Sequence, residues 1–133
     1  MFSDLQLSGQ HSSDDRKLVG IRIRSGAFID GIQAVYENKI GQRIESPWHG
    51  GTGGNLSVFK LAPDQYIIRF NGKYGWYVDH IGIITNKGQH KGWGGIGGAK
   101  HFVYTAPPGS HIHGFGGHAG KLIDSIGVIF KSP

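Results

Sequence analysis

Residues 70–84, "FNGKYGWYVDHIGII", decide the fold once they are set above residues 115–129, "FGGHAGKLIDSIGVI". The two stretches agree at seven of fifteen positions: Phe70/Phe115, Gly72/Gly117, Gly75/Gly120, Asp79/Asp124, Ile81/Ile126, Gly82/Gly127 and Ile84/Ile129. An earlier stretch, "RSGAFIDGIQAV" (24–35), keeps Gly26, Asp30 and Ile32 but has no glycine three places before Gly26. The aspartates lie 49 and 45 residues apart. A second element repeats between them: "HGGTGGN" (49–55) and "WGGIGGA" (93–99) each hold two glycine pairs split by one residue. A period of about 45 residues with strands on either side of each loop is the mark of a repeated supersecondary unit. Three such units imply pseudo-threefold symmetry, each unit a four-stranded sheet. Three blades fall below the four to eight of a propeller, so three sheets around a common axis, a prism, close the core better.

Composition agrees with an all-β chain. Glycine supplies 24 of 133 residues, and each glycine inside a helix costs roughly 1 kcal/mol relative to alanine. Period-two alternation marks strands at 17–25, 28–37, 56–62, 66–72, 80–86, 100–106, 110–116 and 122–130, divided by Gly, Asn, Asp and Pro turns. In 17–25 the pattern assigns Leu18, Gly20, Arg22 and Arg24 to one face and Val19, Ile21 and Ile23 to the other. About ten to twelve short strands and no helix longer than a turn are expected, in one domain over 1–133. With no cysteine, disulfides and thiolate chemistry are excluded. No stretch reaches the length of a membrane span, and "MFSDLQLSGQHSSDD" (1–15) lacks the basic start and apolar core of a signal peptide. Cytoplasmic residence is the expectation, or secretion if residue 1 follows a removed signal. The net charge of +5 comes from scattered lysines and arginines, and no nucleic-acid module is present, so no nucleic-acid partner is expected.

Gly-x-x-x-Asp carries the chemistry. In one reading Asp30, Asp79 and Asp124 accept hydrogen bonds from their own turns while the glycines supply positive φ. In the other, a backbone loop of N–H donors beside a fixed carboxylate matches the edge of a sugar, whose neighbouring hydroxyls donate and accept together. Ala27/Phe28, Trp76/Tyr77 and Lys121/Leu122 vary between a constant glycine and a constant aspartate, which keeps a backbone shape and a carboxylate but frees the side chains between. Shallow sites of this kind are weak singly, and several per molecule give avidity.

On these residues, over about 18–130, the chain resembles the jacalin-related lectins, "NGKYGWYVDHIGIITNKG" and "FGGHAGKLIDSIGVIF" most closely. The resemblance implies a β-prism I fold of three Greek-key four-stranded sheets, and metal-independent sugar sites where Gly-x-x-x-Asp meets a glycine-rich loop. It sets Gly26, Ala27, Phe28 and Asp30 against "GGTGG" (50–54), with Gly50 and Gly51, and Gly75, Trp76, Tyr77 and Asp79 against "GGIGG" (94–98), with Gly94 and Gly95. Gly120, Lys121, Leu122 and Asp124 would need a glycine pair near the N-terminus, where "LSGQHSSDD" (7–15) offers the single Gly9. An unbroken chain resembles the mannose- and glucose-preferring branch, so the implied ligands are mannose-type glycans or glycoproteins, bound at two or three sites. Exposed sheet faces imply a homodimer. The alternative is a prism that has become a protein-interaction domain.

Other chemistries find less. Glycoside hydrolysis needs two carboxylates about 5 to 9.5 Å apart, and Glu37 and Glu45 have no counterparts in the other units. Ser125 lies in "DSIG", outside a nucleophile-elbow pattern, so no enzyme is expected. His111, His113 and His118 lie in "HIHGFGGH" without a local Asp, Glu or Cys to complete a ligand set, so no metal is expected. "GGIGGAK" (94–100) lacks the Gly-Lys-Ser/Thr ending of a phosphate loop. Trp76 and Trp93 are candidates to stack on a sugar, Trp48 adjoins a glycine loop, and Asn55 opens an "NLS" sequon meaningful on secretion.

Overall fold

A computed structural model describes residues 1–4 and 15–132. The described residues hold twelve strands and no helix: β1 Phe2–Ser3, β2 Lys17–Ser25, β3 Ile29–Glu37, β4 Arg43–Glu45, β5 His49–Gly50, β6 Asn55–Lys60, β7 Ile67–Tyr74, β8 Val78–Thr85, β9 His90–Gly94, β10 Lys100–Thr105, β11 His111–Ala119 and β12 Ile123–Lys131. All pairings are antiparallel.

Three units emerge from the register. In unit 1 the order is β4-β3-β2-β6, with β5 continuing the edge beside β3. Unit 2 repeats it as β9-β8-β7-β10, and unit 3 consists of β12-β11-β1. A bridge between Ile112 and Ile67 joins the sheets of units 2 and 3. The expected four strands per unit thus hold for units 1 and 2, whereas unit 3 has three among the described residues.

The units close on one core. Ile21, Phe70 and Phe115 occupy the same place in β2, β7 and β11, each 1% exposed or less, and the rings of Phe70 and Phe115 lie 5.2 Å apart. Burying each such side chain contributes about 1.5–3 kcal/mol. Two polar contacts tie unit 3 to unit 1: Tyr36 Oη donates to the His113 carbonyl at 2.8 Å, and His49 Nε2 meets Asp4 Oδ1 at 2.8 Å. Asp4 Oδ2 also accepts from the Phe115 N–H, so a fully buried carboxylate leaves neither oxygen unpartnered.

Alternation in β2 departs from the sequence expectation. Leu18 is buried together with Ile21 and Ile23, while Val19 is half-buried. The cause is a bulge between Leu18 and Gly20 opposite β3, which shifts the side-chain phase by one residue.

Candidate functional site

The same local geometry surrounds all three aspartates. Opposite β2, register slips between Arg24 and Ser25, so that Gly31 and Ile29 are paired and Asp30 is the extra residue. Asp79 is bulged out in the same way between Val78 and His80, and Asp124 between Ile123 and Ser125. Ile29, Val78 and Ile123 directly before each aspartate are fully buried, and Ile32, Ile81 and Ile126 two places after it are at most 8% exposed. An extra residue between two inward-facing anchors is re-aimed off the ladder. Neither the Asp30 nor the Asp79 carboxylate accepts a hydrogen bond from a described side chain, which leaves both available to a ligand.

Each loop before its aspartate closes through one hydrogen bond. Gly26 N–H donates to the Phe28 carbonyl at 3.0 Å, Gly75 to Tyr77 at 3.0 Å and Gly120 to Leu122 at 2.9 Å. The expectation that these glycines supply positive φ is corrected by the backbone: none of Gly26, Gly75 and Gly120 has one. A Cβ on any of them would meet no atom within 4 Å. Neither strain nor packing asks for glycine there, and what glycine preserves three times is open space beside a carboxylate.

The paired-glycine loops work the opposite way. Gly50 (φ 108°) and Gly94 (φ 102°) are held in the region that favours glycine, and a Cβ on either would lie 2.3 Å from the carbonyl of Asp30 or Asp79. Gly51 and Gly95 N–H groups donate to those carbonyls at 2.8 and 2.9 Å. The second pair of each loop faces the carboxylates: a Cβ at Gly53 would sit 2.7 Å from Asp30 Oδ2, and one at Gly97 2.8 Å from Asp79 Oδ2. Gly51 also packs on the Lys121 backbone and Gly95 on that of Ala27, so neighbouring units share walls at this end of the prism. Phe28 meets Tyr77 edge-on at 5.6 Å across one such wall.

Side chains brace the loops differently. Trp48 lies against Gly31 and donates from Nε1 to the Gly51 carbonyl at 2.8 Å. In unit 2 His80 stands where unit 1 has Gly31 and bonds to the Gly95 backbone; burial, with Lys73 nearby, keeps its pKa below the usual histidine value. Trp93 is removed as a stacking candidate: it is buried and meets Phe59 edge-on at 6.1 Å. Trp76 is 92% exposed and Ile96 97%, an apolar pair on the rims of the two loops of unit 2. His111 and His113 stay together, their rings edge-on at 6.2 Å, with His113 buried and His111 also against Tyr66, whereas His118 reaches Ser125 at 3.0 Å.

Unit 3 differs. Asp79 is buried, Asp30 half-buried and Asp124 exposed, so Gly120, Lys121, Leu122 and Asp124 form a loop without the cover seen in the other units. Residues 7–14, where the glycine pair was sought, lie outside the described residues. Chain order also separates them from the other two glycine loops. The glycine loops 50–54 and 94–98 precede β6 and β10, whereas 7–14 follow β1, and Phe2 lies opposite Gly117 as Phe102 lies opposite Gly72.

The family described as "Jacalin-like lectin domain" matches residues 6–129. Human zymogen granule membrane protein 16 is 30% identical over 81 residues, which are 60% of this chain and 46% of that protein. A Schizosaccharomyces pombe protein named provisionally as a zinc metalloproteinase is 35% identical over 69 residues, 51% of this chain and 11% of that protein. The chain thus spans less than half the length of these relatives. Among solved structures, a prostate-specific WGA16 glycoprotein lectin superposes with a TM-score of 0.81 at 27% identity, covering 92% of this chain and 88% of that one. A mannose-binding jacalin-related lectin from Ananas comosus superposes with a TM-score of 0.77 at 26% identity, over 88% of this chain and 83% of that one.

Proposed function

The chain belongs to the Jacalin-like lectin domain family, and from that membership we propose that it binds mannose- or glucose-type glycans without a metal ion, at the loops around Asp30 and Asp79. The observation that carries the reading is the open space over Gly26 and Gly75, each beside a bulged aspartate whose carboxylate the fold leaves unused. A pyranose edge presents two adjacent hydroxyls that donate to one carboxylate, and loop amides donate to a hydroxyl or the ring oxygen. Charge-assisted bonds of this kind are worth about 1.5–3 kcal/mol each, enough for a weak, selective monosaccharide site. Gly53 and Gly97 keep the approach to each carboxylate free of side chains.

Each loop set brings one constant carboxylate to the ligand, which suits binding rather than hydrolysis. Trp76 and Ile96 give site 2 an apolar rim that site 1, with Ala27 and Thr52 in those places, lacks. That rim also supports a second reading, in which unit 2 docks a protein surface rather than a sugar. A homodimer belongs to the same proposal, with Leu56 and Val58 on the outer strand β6 each 51% exposed. The test is calorimetric titration with methyl α-mannoside, methyl α-galactoside as comparison and chelator present throughout. Heat with mannoside alone, at two equivalents per chain, supports the reading. No heat with either sugar rejects it and favours the protein-surface alternative.

A further inference from the structure

Among the described residues, unit 2 alone carries an apolar tip above a cationic flank. Trp76 and Ile96 stand on the two loops that flank Asp79, each more than nine-tenths exposed. Ala27 and Thr52 hold those places in unit 1, and Lys121 follows the loop glycine in unit 3. Residues 65–105 carry Arg69, Lys73, Lys87, Lys91 and Lys100 against one acidic residue, Asp79. Lys87 is taken by Asp64 at 2.7 Å, and the other four cations make no ion pair among the described residues. The matching flank of unit 1 is neutralised: Glu45, opposite Val35, holds Arg22 at 3.1 Å and Arg43 at 3.8 Å. In unit 2 that place, opposite Ile84, belongs to His90.

Two of these cations reach the tip. Lys73, at the loop end of β7, packs against Gly98. Lys100 lies opposite Tyr74 in the pairing of β10 with β7 and holds its Nζ 6.0 Å from the centre of that ring. Arg69 stands four residues back along β7, about 13 Å away at the rise of a strand, so the positive charge continues down the sheet. The opposing charge of the unit, Asp79, is buried between the loops, and Asp30 and Asp124 stand in the loops of the other two units.

We propose that this corner of the prism docks on an anionic phospholipid bilayer, with Trp76 and Ile96 at the boundary of headgroups and acyl chains and Lys73 and Lys100 against headgroup phosphates. A fluid bilayer closes around a small convex tip, whereas a protein partner would need a pocket shaped to receive it. An indole ring suits that depth because its body is apolar and its N–H is polar. Affinity for such a surface grows with the apolar area buried and with the attraction of lysines to anionic lipid, and this corner joins the two. Units 1 and 3 present no apolar pair of this kind at their described loops, so the docked molecule stands on unit 2. Bilayer docking goes beyond the sugar reading, and its test uses lipid without sugar, so neither result decides the other.

The probe is a phosphatidylcholine vesicle with about 30% phosphatidylserine, compared with phosphatidylcholine alone, at about 0.1 M salt, where charges within ~10 Å still act. The full chain should sediment with the anionic vesicles and not with the neutral ones. Tryptophan emission should shift to the blue and be quenched by brominated acyl chains, a signal that falls to Trp76 because Trp93 is already buried. Trp76→Ser together with Ile96→Ser should weaken vesicle binding roughly tenfold or more through the lost apolar burial. The urea midpoint of that variant should not move, since both side chains stand off the fold. Lys73→Gln and Lys100→Gln should each weaken binding roughly fivefold. No sedimentation at about 1 mM anionic lipid, equal binding to neutral vesicles, emission that stays unshifted on bound vesicles, or undiminished binding of the double variant would each overturn the proposal.

Discussion

Under the proposed function, Gly97→Ala separates the sugar site from the fold. A Cβ at this position would stand 2.8 Å from Asp79 Oδ2 and 3.6 Å from its Cγ, and would meet nothing else within 4 Å. Gly97 has no positive φ, so alanine brings no backbone strain. The atoms in the way belong to the end of a carboxylate that can rotate, and the cost to folding should stay below about 1 kcal/mol. A ligand has no such freedom. The methyl group occupies the approach to the carboxylate oxygen and turns the carboxylate from its bulge-imposed direction, removing one charge-assisted hydrogen bond of about 1.5–3 kcal/mol. Affinity at site 2 should fall about 10- to 150-fold, which in calorimetry with methyl α-mannoside reads as loss of one equivalent while the Asp30 site persists. The urea midpoint should be nearly unchanged. Two equivalents at undiminished affinity would refute the assignment of the Asp79 carboxylate as the acceptor. The double variant Gly53→Ala, Gly97→Ala should abolish the heat altogether.

Four further outcomes follow from other parts of the molecule. Gly75→Ala places a methyl group in open space, so it should leave thermal stability intact and still weaken mannoside binding at site 2; unchanged binding would return that glycine to a neutral surface role. Asp4→Ala strips the partner from both His49 and the buried Phe115 N–H, and urea unfolding should show a loss of about 2–5 kcal/mol. Burial, with His113, Lys131 and Lys17 nearby, pushes the pKa of His111 from 6.5 to about 4; the unfolded chain then binds the proton more readily, so stability is full above pH 6.5 and declines as pH falls towards 4. The ceiling of about 3 kcal/mol is reduced to about 1–2 by solvent around the half-exposed ring, and His111→Gln should flatten the urea midpoint across that window. Sedimentation at micromolar concentration should give twice 14.4 kDa for the chain and 14.4 kDa for Leu56→Lys; a monomer mass for the unaltered chain would dismiss the homodimer.

The period and the fold class were legible because the buried positions repeat in register with the glycines. β2 was read at its observed limits, 17–25, from alternation alone. The bulges were legible too, had the phase been followed: "IDGI", "VDHI" and "IDSI" each place apolar residues at first and fourth positions, where strict alternation would place them at first and third. That slip marks the aspartate as the extra residue. By contrast, β4, β5 and β9 carry little apolar signal, since two of them are three residues or fewer and β9 is "HKGWG". Their pairing is imposed by the neighbouring strand, and no property of their own sequence announces it. The bulge between Ile112 and Gly114 was similarly silent.

Adjacency of the two sites follows from packing between units, which a repeat alignment does not contain. Gly95 rests on Ala27 and Phe28 touches Tyr77, so the loop that shapes the Asp79 site also forms a wall of the Asp30 site. On the proposed function, two weak sites on one end of a rigid prism favour ligands that reach both, because the second contact is made at an effective concentration set by the spacer rather than by the bulk. Under the proposed function, a branched glycan with two terminal mannose-type sugars should therefore exceed a linear one in affinity by more than the statistical factor for two ends. The side chains that vary between the constant glycine and aspartate, Ala27 and Phe28 against Trp76 and Tyr77, would then set which branch enters which site. The fold holds the carboxylates by backbone geometry alone, so those side chains are free to change selectivity without disturbing the strands that carry them.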